Sequence, residues 1–309
     1  MIFDYQFRNY NFRALIYMIL LSVLGILVVG SASNQDRSSV IKQIIGVVVS
    51  LIICLVLSLI DYHQYFRFTT LIYVVCAGML AAVLLFGRTT KGATRWLRIG
   101  GIQIQPSEFV KIGLILILAN FLSRNRDKIN EPKTLGMTAL ICALPVGMVY
   151  LQPNLSTTIV ICFMILCMVY VAGISYKWIA GAVAVGVPGF AALIYLSLQG
   201  FIPFLQKYQA QRIMGKIFHS SSEFTDLNRQ QDNSMMAIGS GQLRGKGLFN
   251  NTLSSVKNGN FLSEEQTDFI FAVIGEELGF IGCMAVIFLI ALTVYECLIM
   301  AARAKDLMG

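Results

Sequence analysis

Eight runs of mostly apolar residues follow one another along the chain, and most are separated by short polar segments. Each run reaches or approaches the about 20 residues that a helix needs to cross the core of a bilayer. The pattern predicts an all-α polytopic membrane protein, with about eight transmembrane helices in a single domain over residues 1–309. The predicted spans are residues 14–33, 41–60, 68–87, 109–122, 134–151, 155–173, 178–198 and 269–300.

One long stretch, residues 200–267, is too polar to span a membrane and too long for a simple connection. The short loops on one predicted side of the membrane hold more Lys and Arg than those on the other. By the positive-inside rule, this bias places the N-terminus in the cytoplasm. In that orientation, residues 200–267 form a long extracellular loop.

Composition supports a membrane protein and argues against a nucleic-acid-binding one. Of the 309 residues, 56% are hydrophobic and 13% are charged, and the mean hydropathy is +0.71. A soluble domain carries about 25% charged residues. The net charge of +8 is scattered over loops and forms neither a basic helix nor an aromatic platform, so we predict no nucleic-acid partner. His63 and His219 are isolated, which gives little support to a histidine metal site or a Ser-His-Asp triad.

Four basic residues, Arg88, Lys91, Arg95 and Arg98, share one predicted outer loop that has no acidic residue. They are either tolerated surface charges or the binding site of an anion such as a lipid pyrophosphate. Trp96 lies among them. It is either an interfacial belt residue or an apolar wall for a sugar or an isoprenoid.

The segment Pro106-Ser107-Glu108 has the composition of a helix start, with Glu108 near the positive end of the helix dipole. Lys111 follows three residues later on the same helical face, about one turn into the bilayer. An ionisable residue at that depth is a candidate functional residue. The alternative is a mutually neutralising pair that only holds helices together.

Two further segments interrupt the apolar pattern. Residues 152–157, Gln-Pro-Asn-Leu-Ser-Thr, predict a tight turn between two spans. Residues 237–248 are rich in glycine but match neither the Walker pattern nor GxGxxG. They can still form a loop whose amides bind an anion together with Arg244 and Lys246.

Three acidic residues mark the beginning of the last span. Asp268 lies at its predicted outer end, where Asp268 or Thr267 can cap the helix. Glu276 and Glu277 lie about 12 Å further along the helix at 1.5 Å per residue. Carboxylates at that depth are costly unless they are paired or face water, and an Arg or Lys from residues 91–111, the loop that contains Arg95 and the start of the next helix, could be their partner.

The motifs GATRW…QPSEFVK, QPNLST, AIGSGQLRGKGL and EEQTDFIFAVIGEELGF occur in this order across nearly the whole chain. In their order and spacing they resemble the SEDS family of cell-wall polymerases, and the short N-terminal segment is most like that of its RodA branch. Members usually have about ten spans. The resemblance therefore implies that this chain lacks the last two, together with the late Pro-Phe-Ser-Tyr-Gly-Gly segment. The chain also departs from the family pattern, which usually has Asp at the position of Asn154, Gly at that of Ser156 and His at that of Gln266.

The resemblance implies a peptidoglycan glycosyltransferase that polymerises lipid II, an undecaprenyl-pyrophosphate-linked disaccharide peptide, at the outer face of the bacterial cytoplasmic membrane for cell elongation and shape. It makes Asp268 the catalytic residue, either as a general base or as a metal ligand. A divalent cation, Mg²⁺ or Mn²⁺, and a class B penicillin-binding protein are the expected cofactor and partner. The expected substrate-binding residues are Trp96, Glu108 and Lys111 from the family motifs, with Arg95, Lys246, Glu276 and Glu277 added from their position and charge.

Two other functions fit part of the pattern. A flippase for the same lipid would use Lys111, Glu276 and Glu277 in a polar translocation path, but it would not require the long outer loop that ends at Asp268. A noncatalytic scaffold for a penicillin-binding protein would fit a chain without the final spans.

Overall fold

The computed structural model describes residues 10–33, 36–90, 93–99, 102–152, 154–199, 225–250 and 266–309. The chain divides into two compact units. The first unit comprises Met1–Ile60 and Gln206–Arg303, and the second comprises Asp61–Leu205 and Ala304–Gly309.

Helices dominate both units. The first unit contains α1 (Phe12–Ala32), α2 (Arg37–Ser58), α9 (Thr225–Ser240) and α10 (Ile270–Ala302). The second contains α3 (Tyr62–Phe66), α4 (Thr69–Phe86), β1 (Arg88–Thr90), β2 (Ala93–Ile99), β3 (Ile102–Ile104), α5 (Pro106–Arg124), a 3₁₀ turn (Arg126–Lys128), α6 (Pro132–Leu151), α7 (Leu155–Val171) and α8 (Tyr176–Leu198).

The described helices confirm the predicted all-α polytopic membrane fold. In the described part of the chain, seven helices are long and apolar enough to cross a membrane, and α7 is a shorter apolar helix of 17 residues. Together they correspond to the eight predicted runs. Many of their apolar side chains face outward, and α2 has no buried residue. In a bilayer such faces contact lipid, so they carry no hydrophobic penalty.

Two elements were not predicted. The basic loop after α4 forms a three-stranded antiparallel sheet in the order β1-β2-β3. The stretch 200–267 is also more than a loop, because it contains the 16-residue helix α9. Most residues of α9 are polar, so the helix does not stand out in the sequence as an apolar run.

In the first unit, α1 packs along α10. Near its start, the side-chain amide of Asn11 donates to Glu296 over 2.8 Å, and the same Asn11 caps α1 by accepting from the Ala14 amide. Caps of this type satisfy amides that the first helical turn leaves without partners. The shared core of the two helices consists of Val28, Ala32, Val273, Ile274, Cys283 and Val286.

In the second unit, α4 and α5 pack closely and form the centre of the core with α6 and α7. A Cβ atom on Gly113 of α5 would clash with the sulfur of Cys76 on α4, so the missing side chain permits the close approach. The core residues around this contact are Leu80, Val110, Leu114, Val149 and Ile161.

A histidine in α3 ties the C-terminal segment to the rest of the second unit. Nδ1 of His63 lies 2.8 Å from Oδ1 of Asp61, and Nε2 lies 2.8 Å from Oδ2 of Asp306. Only the imidazolium form donates from both ring nitrogens. Its hydrogen bonds to Asp61 and Asp306 raise the pKa of His63 above the usual 6.5. Tyr62 also donates to Asp306, and burial together with this carboxylate raises the pKa of Tyr62 to about 12.

We predict that this attachment depends on pH. Because the pKa of folded His63 is raised, its stabilisation is complete below 6.5 and is lost as the pH rises through the raised value. The pKa values of Asp61 and Asp306 are lowered, chiefly by the backbone amides of His63 and Gly309. Their stabilisation is complete above 3.8 and is lost as the pH falls through the lowered values.

An NMR titration of the His63 ring measures this directly in a His219→Gln background, where His63 is the remaining histidine. We expect a pKa above 6.5 in the parent protein and a lower value in Asp306→Asn. The control is Asp127→Asn, which changes an exposed carboxylate that does not bond to the His63 ring. An unchanged His63 pKa in Asp306→Asn would contradict the hydrogen bond between His63 and Asp306.

Candidate functional site

The last span is broken at Gly279. This residue has φ 68° and ψ −164°, and it divides α10 into a segment before the break, 270–278, and a segment after it, 280–302. Only glycine adopts such a conformation without strain. The break leaves carbonyls of the first segment and amides of the second without helical partners, and a bilayer supplies none.

A loop after α9, residues 241–250, supplies amides for the carbonyls before the break. The amide of Lys246 donates to the carbonyl of Glu276, and the amide of Gly247 donates to that of Glu277, both over 2.9 Å. We call residues 241–250 the docking loop. These two amides are occupied, so the prediction that the loop amides bind an anion is wrong for Lys246 and Gly247.

The docking loop also accepts from the amides after the break. The Phe280 amide donates to the carbonyl of Gln242 over 2.8 Å, and the Ile281 amide donates to that of Leu243 over 3.2 Å. The four hydrogen bonds give partners to backbone groups on both sides of the break. These bonds give the amides and carbonyls at the break partners within the protein, as a discontinuous helix in a membrane requires.

Glycines allow the loop to approach the broken helix this closely. A Cβ atom on Gly241 would clash with the carbonyl oxygen of Gly275, and one on Gly245 would clash with that of Glu277. Gly245 also has φ +77°, which disfavours any other residue. The glycine-rich motif is therefore explained by backbone contact with α10.

Two buried carboxylates precede the break, and each has an identified partner. Glu276 and Glu277 are both 2% exposed. Nζ of Lys246 lies 2.7 Å from Oε1 of Glu276, and Oγ of Ser31 in α1 donates to Oε1 of Glu277 over 2.5 Å. We expected the partners to come from the loop that contains Arg95. The docking loop and α1 provide these two contacts, so neither of them comes from that loop.

Asp268 lies in an exposed turn just before α10. The N-cap position of α10 is Phe269, with no capping hydrogen bond from a side chain. A capping role for Asp268 or Thr267 is therefore not observed. The exposed Asp268 carboxylate therefore lies just before the 270–278 segment, whose other end the docking loop holds.

In the second unit, Glu108 and Lys111 form the expected pair. Pro106 occupies the first turn of α5, Glu108 follows in the same turn, and Nζ of Lys111 lies 2.7 Å from Oε2 of Glu108. About half of the Glu108 side chain is exposed, so the pair is accessible to a ligand.

The sheet gives the side chains of Arg95 and Trp96 different exposure to solvent. The backbone of Arg88 pairs with Trp96 and that of Thr89 with Thr94, which makes Arg95 the extra residue of a β-bulge. Bulges redirect side chains. Arg95 is half-buried, whereas Trp96 is 37% exposed. Arg98, two residues after Trp96 on the same face of β2, is exposed as well.

The turn between α6 and α7 confirms the prediction for residues 152 and 154–157, and residue 153 lies outside the described residues. The side-chain amide of Gln152 donates to the carbonyl of Leu80, and the side chain of Asn154 caps α7 by accepting from the Thr157 amide. Asn and Asp cap helices about equally well. The departure from the family pattern at Asn154 therefore preserves this cap.

The described residues offer no ready-made metal cage, because none of their His, Cys, Asp and Glu side chains form a group of three that could hold an ion. Mg²⁺ is commonly held by one or two carboxylates together with phosphate oxygens of a substrate and water. The exposed Asp268 carboxylate fits a site of that kind.

Comparison with known proteins identifies the family. The family model for FtsW, RodA and SpoVE, described as cell cycle proteins, matches residues 12–309. This chain belongs to the FtsW/RodA/SpoVE family. The SEDS resemblance of the four motifs is thereby confirmed.

Individual relatives agree with this assignment. The chain is 34% identical to the peptidoglycan glycosyltransferase MrdB of Escherichia coli K12, over 96% of this chain and 76% of MrdB. It is 30% identical to the probable peptidoglycan glycosyltransferase FtsW of Haemophilus influenzae, over 92% of this chain and 71% of that protein. The chain thus spans about three quarters of the length of MrdB.

Solved structures share the fold. A chain from a peptidoglycan synthase complex superposes with a TM-score of 0.76 at 24% identity, covering 97% of this chain and 80% of that chain. The rod shape determining protein RodA of Thermus thermophilus superposes with a TM-score of 0.66 at 23% identity, covering 98% and 78%.

Sequence reasoning did not single out Ser31 or place Arg98 among the site residues. Ser31 lies within an apolar run, where a serine gives little signal. Arg98 was one of four basic residues in its loop, and only the register of β2 shows that it shares a face with Trp96.

We predict that Gly241→Ala destabilises the protein. The added methyl group must displace the Gly275 carbonyl, and overpacking of this kind costs about 1–3 kcal/mol. Gly239→Ala is the matched control, because nothing lies within 4 Å of its added Cβ and neither glycine has a positive φ. In helix α9 that change should stabilise by about 0.5–1 kcal/mol.

Thermal unfolding of both variants in the same detergent is the measurement. We expect a lower midpoint for Gly241→Ala and an equal or higher midpoint for Gly239→Ala. Equal midpoints in the two variants would contradict the tight contact between the docking loop and α10.

Proposed function

We propose that this protein is a peptidoglycan glycosyltransferase that joins lipid II units at the outer face of the cytoplasmic membrane. Its family and its 34% identity to MrdB over 96% of the chain support this activity. The position of Asp268 is the observation that supports this residue as the catalytic one. Its carboxylate is exposed at the start of a buried and anchored helix, within the acidic motif of the family.

In the proposed reaction, a sugar hydroxyl of one lipid-linked substrate attacks the anomeric carbon of another. The new glycosidic C–O bond forms as the bond between that carbon and the pyrophosphate oxygen breaks, so the lipid pyrophosphate leaves with the bonding electrons. The attacking hydroxyl loses its proton to the carboxylate of Asp268, which acts as general base. Attack from the face opposite the leaving group inverts the anomeric configuration.

The basic and aromatic residues of the second unit suit the substrate itself. Lys111 and the arginines of β2 are cations that can bind pyrophosphate oxygens. The exposed face of Trp96 can contact a sugar or an isoprenoid. We keep Arg95, Glu108 and Lys111 as proposed substrate-binding residues and add Arg98 because of its exposure.

A divalent cation, Mg²⁺ or Mn²⁺, completes the proposal. It would be held by Asp268 together with substrate oxygens, and it would neutralise the negative charge that develops on the leaving pyrophosphate. Asp268 would then orient the cation as well as accept the proton.

Lys246, Glu276 and Glu277 remain proposed site residues, but their contacts favour an indirect role. Within the first unit, Lys246 pairs with Glu276 and Ser31 donates to Glu277. The same contacts weaken the flippase alternative, because two carboxylates that are 2% exposed and held by protein groups are poorly suited to line a polar path.

The proposed partner is a class B penicillin-binding protein, which would crosslink the strands that this protein makes. The similar fold of a chain from a peptidoglycan synthase complex supports such a pairing. We further propose a cytoplasmic N-terminus and, from the similarity to a rod shape determining protein, a role in cell elongation and shape.

We predict that Asp268→Asn abolishes polymerisation, because the amide can neither accept the proton nor hold a cation as a carboxylate does. The assay incubates the purified protein with lipid II, Mg²⁺ or Mn²⁺ and the penicillin-binding protein, and resolves the products on a gel. Removing the cation with a chelator should stop the parent protein too, and adding it back should restore polymer.

The control for this assay is Asp127→Asn, which changes an exposed carboxylate in the 3₁₀ turn after α5. It should polymerise like the parent. Polymer from a folded Asp268→Asn variant would refute the role of Asp268, and no polymer from the parent under any of these conditions would refute the activity.

We also predict that Arg98→Gln raises KM for lipid II by about threefold to tenfold, because an exposed cation contributes modestly to phosphate binding. Arg126→Gln, an exposed arginine after α5, should leave KM unchanged. Initial rates over a range of lipid II concentrations measure both. Equal KM values in the two variants would remove Arg98 from the substrate-binding residues.

A further inference from the structure

The hydroxyl of Ser31 connects three segments of the first unit. Ser31 is 1% exposed and lies in the last turn of α1. Its Oγ accepts from the amide of Phe249 in the docking loop over 3.1 Å and donates to Oε1 of Glu277 over 2.5 Å. A hydroxyl provides one donor and two acceptor sites, so both bonds form at once.

Both partners of Ser31 border the break in α10. Glu277 lies two residues before Gly279, and Phe249 follows the loop amides that bond to the carbonyls of Glu276 and Glu277. The docking loop holds the end of the 270–278 segment through its backbone. Ser31 adds a side-chain restraint from α1 at this end of the segment, which opposes a tilt of the segment relative to α1.

The restrained segment leads directly to Asp268. Residues 270–278 form a helix of nine residues, about 13.5 Å long at 1.5 Å per residue, with Glu277 near one end and Asp268 just beyond the other. A rigid helix transmits a tilt along its length. A tilt of about 5° therefore moves the Asp268 end by about 1 Å, and a misplacement of that size can cost about 100-fold in rate.

We propose that Ser31 is a positioning residue for Asp268. It acts through Glu277 and the docking loop, and it touches neither substrate nor product. The inference rests on the proposed glycosyltransferase activity, in which Asp268 accepts the proton. The hydroxyl is the required group, because an apolar side chain cannot donate to Glu277 or accept from Phe249.

Steady-state kinetics of Ser31→Ala test the proposal in the polymerisation assay. We expect kcat to fall at least about tenfold while KM for lipid II stays within about twofold, because the substrate contacts are unchanged. Ser33→Ala is the matched control, because Ser33 is the C-cap of α1 and its hydroxyl donates to the carbonyl of Val29 in that helix. It should retain the parent kcat.

An isosteric pair separates the hydroxyl from packing. Ser31→Thr and Ser31→Val place side chains of the same branched shape at a buried position, but only threonine keeps the hydroxyl. We expect Thr to retain at least about ten times the kcat of Val. A general structural role would instead lower the thermal midpoint of both variants alike and leave their kcat values, per folded molecule, similar.

Three outcomes would overturn the proposal. They are an unchanged kcat in folded Ser31→Ala, equal kcat values for the Thr and Val variants, and the failure of both hydroxyl-free variants to fold, which would make Ser31 a folding residue. Absence of polymer from the parent protein would refute the proposed function itself, so the two failures are distinguishable.

Discussion

The exchange of backbone hydrogen bonds at Gly279 is the interaction on which the first unit depends. A break in a membrane helix exposes carbonyls and amides that lipid cannot satisfy. Here the docking loop satisfies both sides, since Lys246 and Gly247 donate to the helix before the break and Gln242 and Leu243 accept from the helix after it. A long polar segment and an apolar span are thereby joined into one structure.

This constraint gives the buried charges a physical explanation. Lys246 lies in the loop and Glu276 in the helix, so their ion pair holds together the same two segments that the backbone bonds join. Glu277 connects that junction to Ser31 and α1. The result is a short helix whose inner end is fixed on several sides and whose outer end presents Asp268. A catalytic carboxylate needs this preorganisation, because its rate contribution depends on its position.

The sequence was sufficient for the membrane fold because apolar runs of about 20 residues are a strong and local signal. It also located the Glu108–Lys111 pair, whose spacing places both residues on one helical face. It did not reveal what the glycines of residues 237–248 are for, since their partners Gly275 and Glu277 come from a distant segment. The sheet escaped prediction for a related reason, because strands as short as β1 and β3 carry little periodicity.

Hydrogen exchange at the docking loop tests the central claim most directly. In lipid nanodiscs, with exchange followed at single amides, Lys246 and Gly247 should be protected as strongly as amides within α10, although they belong to a loop. The amides of Phe280 and Ile281, which donate to the carbonyls of Gln242 and Leu243, should be equally protected. Exchange of the Lys246 and Gly247 amides at the rate of an unstructured loop would contradict the interlocked break and, with it, the anchoring of Asp268.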